Sequence, residues 1–139
     1  MRLYISPTNF EWYLQLMAMQ PDEVNFWLPS GTRTFKALQP GEPLLFKSKT
    51  KDTGITGAGY IMGGGFFVRY VSSSVTRAWQ AFGEKNGVPN VRDFLARIRA
   101  LGGDTSMSDP TIGCIILNEP FYFPRELWVP APEGFPVTS

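Results

Sequence analysis

A chain of 139 residues, 43% hydrophobic and 18% charged, makes one globular domain long enough to bury a proper core. It has no histidine and one cysteine, which excludes Ser-His and Cys-His nucleophiles, His-ligated or multi-cysteine metal sites and an internal disulfide. The 12 acidic residues are scattered with no recognisable pair, so the sequence argues against a self-contained enzyme site and calls for no cofactor or metal.

No apolar run approaches membrane-spanning length, and Met1-Arg2-Leu3-Tyr4 lacks the shape of a signal peptide. Cys114 sits in an apolar run, which points to a buried core thiol in a reducing compartment, the cytoplasm. Net charge is +1 but unevenly spread: Arg33 to Arg99 holds 11 basic and 4 acidic residues, and the flanks hold 2 basic and 8 acidic. A basic middle between acidic ends suits an anionic partner, or a solvated surface whose charges mix in space.

In chain order, Arg2–Ser6 is a short strand. Thr8–Met19 follows as a helix, with Thr8 as N-cap and Glu11 completing a capping box. Phe10, Tyr13, Leu14 and Met17 fall at helical spacing on a core face, and Trp12, Leu16 and Met19 form a second stripe. Pro21 ends the helix. Glu23–Leu28 is a strand with Phe26 and Trp27 on opposite faces, and Pro29-Ser30-Gly31 turns the chain. Arg33-Thr34-Phe35-Lys36, basic beside aromatic, suits a phosphate-facing segment.

The stretch Gly41–Tyr70 organises the rest. After the tight turn Gln39–Glu42, Leu44–Lys49 and Tyr60–Tyr70 are the strands of a hairpin whose loop, Thr50–Gly59, is glycine-rich. Alternation places Tyr60, Met62, Phe66, Val68 and Tyr70 on one face, and Ile61, Phe67, Arg69 and Val71 on the other. Gly63-Gly64-Gly65 inside the second strand marks either a bend or a place where another molecule approaches the backbone.

Ser72–Ser74 supplies N-cap candidates for a helix through Phe82, with Val75, Ala78, Trp79 and Phe82 inward. Asn90 caps a third helix to Leu101, with Val91, Phe94, Leu95, Ile98 and Leu101 inward and Gly102-Gly103 as its stop. Thr111–Leu117 is apolar on both faces, the pattern of a central strand. Asn118–Phe135 is rich in proline and aromatics, an irregular cover over the sheet, and Pro136–Ser139 is a tail or the start of a linker. Gly57-Ala58-Gly59 with Gly63 is not a dinucleotide fingerprint, since the third glycine is misplaced and a strand follows. The element order gives an α+β domain with a mixed, partly closed sheet. Its 20 aromatics exceed what such a core needs, so some can line a pocket for a flat ligand.

The blocks EVNFWLPSGTRTFKALQPGEPLLFK, GGGFF, AWQAFGEKNG, TIGCIIL and PFYFPRELWVPAP cover most of the chain in order. They resemble the N-terminal domain of a group of bacterial HNH endonucleases, and the layout is similar to a PUA-like barrel of the EVE type. The resemblance implies a specificity domain over residues 1–135 that precedes a C-terminal HNH nuclease domain in a modification-dependent restriction enzyme. The implied partner is double-stranded DNA with a modified base, a modified cytosine flipped into an aromatic pocket. Trp27, Phe26, Tyr60 and Trp12 are the candidate stacking faces, and relatives of the EVE type carry a pocket tryptophan in the block that contains Trp27. Asn25 and Ser48 are candidates for the polar edge of the base, and Arg33, Lys36, Lys47, Lys49, Lys51 and Arg69 for phosphates. Two other readings stay open: an interaction domain that docks an acidic partner or the nuclease domain, and an RNA-binding PUA-like module.

Overall fold

The computed structural model describes residues 1–32, 34–49, 59–103 and 106–132. Arg33, Lys51 and the rest of the Thr50–Ala58 loop, and the 133–139 tail, all named above, lie outside the described residues.

Among the described residues six strands form one mixed sheet: β1 (Tyr4–Pro7), β2 (Glu23–Leu28), β3 (Pro43–Lys47), β4 (Tyr60–Ser74), β5 (Thr111–Tyr122) and β6 (Val129–Pro130). The order is β1-β3-β4-β5-β2, with β1 parallel to β3, the other pairs antiparallel, and β6 on the start of β4. Curling brings the two edge strands, β1 and β2, to the two sides of an open seam. Helix α1 (Phe10–Met19) joins them, while α2 (Val75–Phe82) and α3 (Val91–Ala100) cover the other face.

The strand β5 explains why the sheet has two buried faces. Ile115 and Leu117 join a cluster with Trp12, Tyr13, Leu16, Phe26, Phe46 and Met62. Ile112, Cys114 and Ile116 join Val75, Phe94 and Ile98 under α2 and α3. The predicted central strand is thus present, and Cys114 is buried. Burial pushes its thiol above the ordinary range, with the neighbouring Asn25 side chain acting the other way. The strand also runs on to Tyr122, where an irregular segment was expected. Glu119, at φ 47°, sits in its path, and its N–H bonds the Asp22 carbonyl at 3.0 Å.

Caps at α2 and α3 are as the sequence indicates: Ser74 accepts from Arg77 N–H and Asn90 from Asp93 N–H. At α1 the cap is Asn9, not Thr8. Asn9 Oδ1 accepts from Trp12 N–H at 2.9 Å, whereas the buried Thr8 hydroxyl turns back to donate to the Ser6 carbonyl. Glu11 closes no capping box; it pairs with Arg97 on α3 at 3.1 Å. Leu14 and Met19 are exposed, because the buried face of α1 runs through Trp12, Tyr13 and Leu16. Val91 and Leu101 are exposed too, lying at the two ends of α3.

The alternation expected along Tyr60–Tyr70 is broken. Met62, Phe67 and Tyr70 all pack toward the α1 cluster, while Phe66 meets Phe121. Register shifts at Gly64/Phe66 and Phe67/Arg69 are the cause, since each bulge exchanges the two faces of the strand. The glycine run serves close packing. A methyl group on Gly64 would stand 2.5 Å from the Leu44 carbonyl oxygen, and one on Gly65 2.9 Å from Leu117 Cβ. These glycines are buried between β3 and β5, so they offer no binding surface.

Candidate nucleic-acid interface

A cleft of about 450 Å³ opens at the seam. Ser6, Pro7, Thr8 and Asn9 bring the β1–α1 junction to one side, and Phe26 to Ser30 bring the end of β2 to the other. Lys49 lines it from the far end of β3, and Leu101 and Gly102 from the end of α3. Two edge strands that do not pair with each other leave this gap, and α1 floors it with Trp12.

Three of the aromatic candidates meet here: Trp12, Phe26 and Trp27. Their roles differ. Trp12 is only 3% exposed, edge-on to Phe26 and Phe46 at 5.2 Å each, with its indole N–H donated to the Asn25 carbonyl at 3.2 Å. Gly87, at φ 75°, lays its backbone against that indole, where any Cβ would collide. Phe26 stacks on Phe46 at 6.0 Å. Both rings are floor. Trp27 is half-buried, tilted on Phe94 at 5.3 Å, with its N–H donated to the Asn86 carbonyl at 2.9 Å. That bond and Phe94 fix the orientation of the ring from behind, and leave Trp27 as the wall a ligand can stack on.

Asn25 does not reach the cleft. It is fully buried on the same face of β2 as Trp27, deeper under the helices, and donates from Nδ2 to Asn86 Oδ1 at 2.9 Å. Asn86 in turn donates to the Ala78 and Gly83 carbonyls, so the pair joins β2 to α2. Ser48 is buried too, its Oγ accepting from Tyr60 N–H at 2.9 Å. Ser48 and Tyr60 therefore close the neck of the hairpin, and neither lines the cleft. Their polarity drew attention in the sequence, but both side chains are spent on bonds inside the fold, the Asn25 amide nitrogen on Asn86 and the Ser48 oxygen on Tyr60.

The residue that sequence reasoning missed is Asn9. Its Oδ1 is held by Trp12 N–H, so what remains to meet a ligand is the amide nitrogen, a double donor. A strand-to-helix junction with an Asx cap was the available signal, and Thr8 masked it.

Of the phosphate candidates among the described residues, Lys49 lines the cleft and Lys36 is exposed on the chain leading to β3. Lys47 lays its aliphatic stem over Gly59. Arg69 is away from the cleft, on the outer part of β4, in a separate groove with Arg77.

No family model matches this chain, and no curated protein does. Among solved structures it is similar to a mutant of the ZmASCH protein from Zymomonas mobilis, with a TM-score of 0.54. That match covers 88% of this chain and 76% of the other at 8% identity. At such identity the likeness concerns the backbone alone: the fold is PUA-like, an α+β domain with a curled, half-closed sheet and, among the described residues, three α-helices.

Proposed function

We propose that this chain is a DNA-binding module that takes one base, extruded from the duplex, into the cleft between β1 and β2. The cleft itself supports this reading. Its volume of about 450 Å³ suits a small flat ligand, its walls are mostly apolar, and the Trp27 ring is braced from behind by Phe94 and Asn86. An extruded base needs a stacking face and a few hydrogen bonds to its polar edge. Trp27 supplies the first; the Asn9 amide and Lys49 supply the second. Following the family resemblance, the base is a modified cytosine, and an HNH nuclease domain C-terminal to this one does the cutting.

The test is Trp27→Ala, with thermal melting and DNA titration on one sample. The change removes roughly 1–3 kcal/mol of binding, the worth of one base–aromatic stack. Preference for modified over unmodified DNA shrinks with it, and weak, salt-sensitive binding persists. If Trp27 only packs on Phe94, the same change costs roughly 3–5 kcal/mol of stability and the folded protein keeps its discrimination. Equal affinity of the parent for duplexes with unmodified, methylated and hydroxymethylated cytosine would remove the modified-base reading. Tighter binding to single-stranded RNA than to any duplex would move the module to the RNA class.

A further inference from the structure

A second concavity, of about 430 Å³, lies between the outer half of β4, the first residues of β5 and α2. Its polar lining includes Arg69, Arg77, Ser72, Ser73 and Thr111. Arg2, Lys85 and Arg97 are each paired with a carboxylate. The Arg69 and Arg77 guanidinium groups have neither an ion pair nor a hydrogen bond among the described residues. Two unneutralised guanidinium groups in one groove are the chemistry of a phosphate site; the Ser72 and Ser73 hydroxyls already donate to the Gly31 and Ser74 carbonyls.

The start of α2 adds nothing to it. The N–H groups of Val75, Thr76 and Arg77 are taken by the Pro110 carbonyl, Asp109 and Ser74 Oγ respectively. Asp109, two residues before Thr111, is engaged there, and neither it nor Glu84 lines the groove. The binding capacity therefore rests on the two side chains. One turn separates the groove from the cleft. Pro29 and Ser30 line the cleft, while Gly31 donates to the Thr111 carbonyl at 3.2 Å and accepts from Ser72 Oγ at 3.2 Å.

We infer that this groove is a phosphodiester-backbone site, in which Arg69 and Arg77 hold phosphates of the strand whose base enters the cleft. The chemistry of the groove stands by itself; the strand's path over the 29–32 turn rests on the cleft reading. The test therefore uses a ligand with no base, a deoxyribose-phosphate oligomer, titrated into the intact chain while the arginine Nε–H and indole N–H resonances are followed. The Arg69 and Arg77 signals shift and saturate. In an Arg69→Gln/Arg77→Gln variant with the parent's amide spectrum, the log–log salt slope of binding falls by about 1.4, two single-strand contacts at about 0.7 each. Unmoved arginine signals, or an unchanged slope in the variant, would overturn the site. Inorganic phosphate that saturates both arginines as tightly as the oligomer would make it a small-anion site, which also overturns the backbone proposal. Loss of base discrimination in the cleft leaves these readouts untouched, so the two readings fail separately.

Discussion

At the residue scale, the cleft is shaped by side chains whose polar atoms are already committed, and that decides which atoms are left for a ligand. Both indole N–H groups are bonded to backbone carbonyls, so Trp12 and Trp27 can offer rings but no donor. Thr8 is committed to Ser6, and the Ser30 and Thr32 hydroxyls to each other. Asn9 and Lys49 are the exceptions, and Asn9 has its oxygen used and its nitrogen free among the described residues. Asn9→Asp separates the two roles. A carboxylate keeps the cap and adds a favourable charge at the start of α1, so the melting temperature stays within a few degrees. The same change removes both N–H donors and places a negative charge in the cleft. On the base-binding reading, affinity for the modified duplex falls about 10-fold or more, by one neutral hydrogen bond lost and one repulsion gained. Parent-like affinity in a stable Asn9→Asp protein would take Asn9 out of recognition.

At the element scale, what was legible follows how local each signal was. The cap of α3 was readable because Asn90 sits one residue before its helix with no rival beside it, and that of α2 was narrowed to Ser72–Ser74, of which Ser74 stands next to the helix. At α1, Thr8 and Asn9 compete, and the tertiary bond from Thr8 to Ser6 settles the choice. The faces of β4 were unreadable for a similar reason, as its bulges are defined by pairing with β5, some 50 residues away. A long-range contact also holds β1 in place. Glu42 accepts from Arg2 N–H and Gln39 N–H at 2.7 Å each, with the Arg2 guanidinium at 3.8 Å, so its carboxyl is held below the usual range. A depressed carboxyl pKa contributes stability above the unfolded value, and that stability is lost as pH falls through the folded one. Amide protection along β1 and its partner β3 therefore declines in acid before the rest of the sheet. Glu42→Gln lowers that protection at neutral pH and flattens its pH dependence. Hydrogen exchange measured across the acid range checks this, and a pH profile unchanged in the variant would exclude Glu42 as the cause.

At the scale of the whole molecule, the cleft belongs to no single element, which is why only part of its lining could be named from the sequence. Trp27 was legible because it ends a strand ahead of a turn, where a side chain meets open space. Leu101 and Gly102 were not, since only the docking of α3 brings them beside β2. The same architecture fixes how the domain unfolds. Each face of the sheet carries its own buried cluster, but β5 feeds both, with Ile115 and Leu117 on one side and Ile112, Cys114 and Ile116 on the other. The buried Asn25–Asn86 pair adds a second link, from β2 to the region of α2. A helical layer tied to the sheet in this way cannot melt while the α1 side stays folded. Leu16→Ala on the α1 side and Ile98→Ala on the α3 side should each cost roughly 2–5 kcal/mol. Each should lower one shared transition by on the order of 10 °C, with calorimetric and van't Hoff enthalpies still equal. Two resolved transitions in the Ile98→Ala protein, one lost early and one near the parent's, would show that the layers are separate folding units.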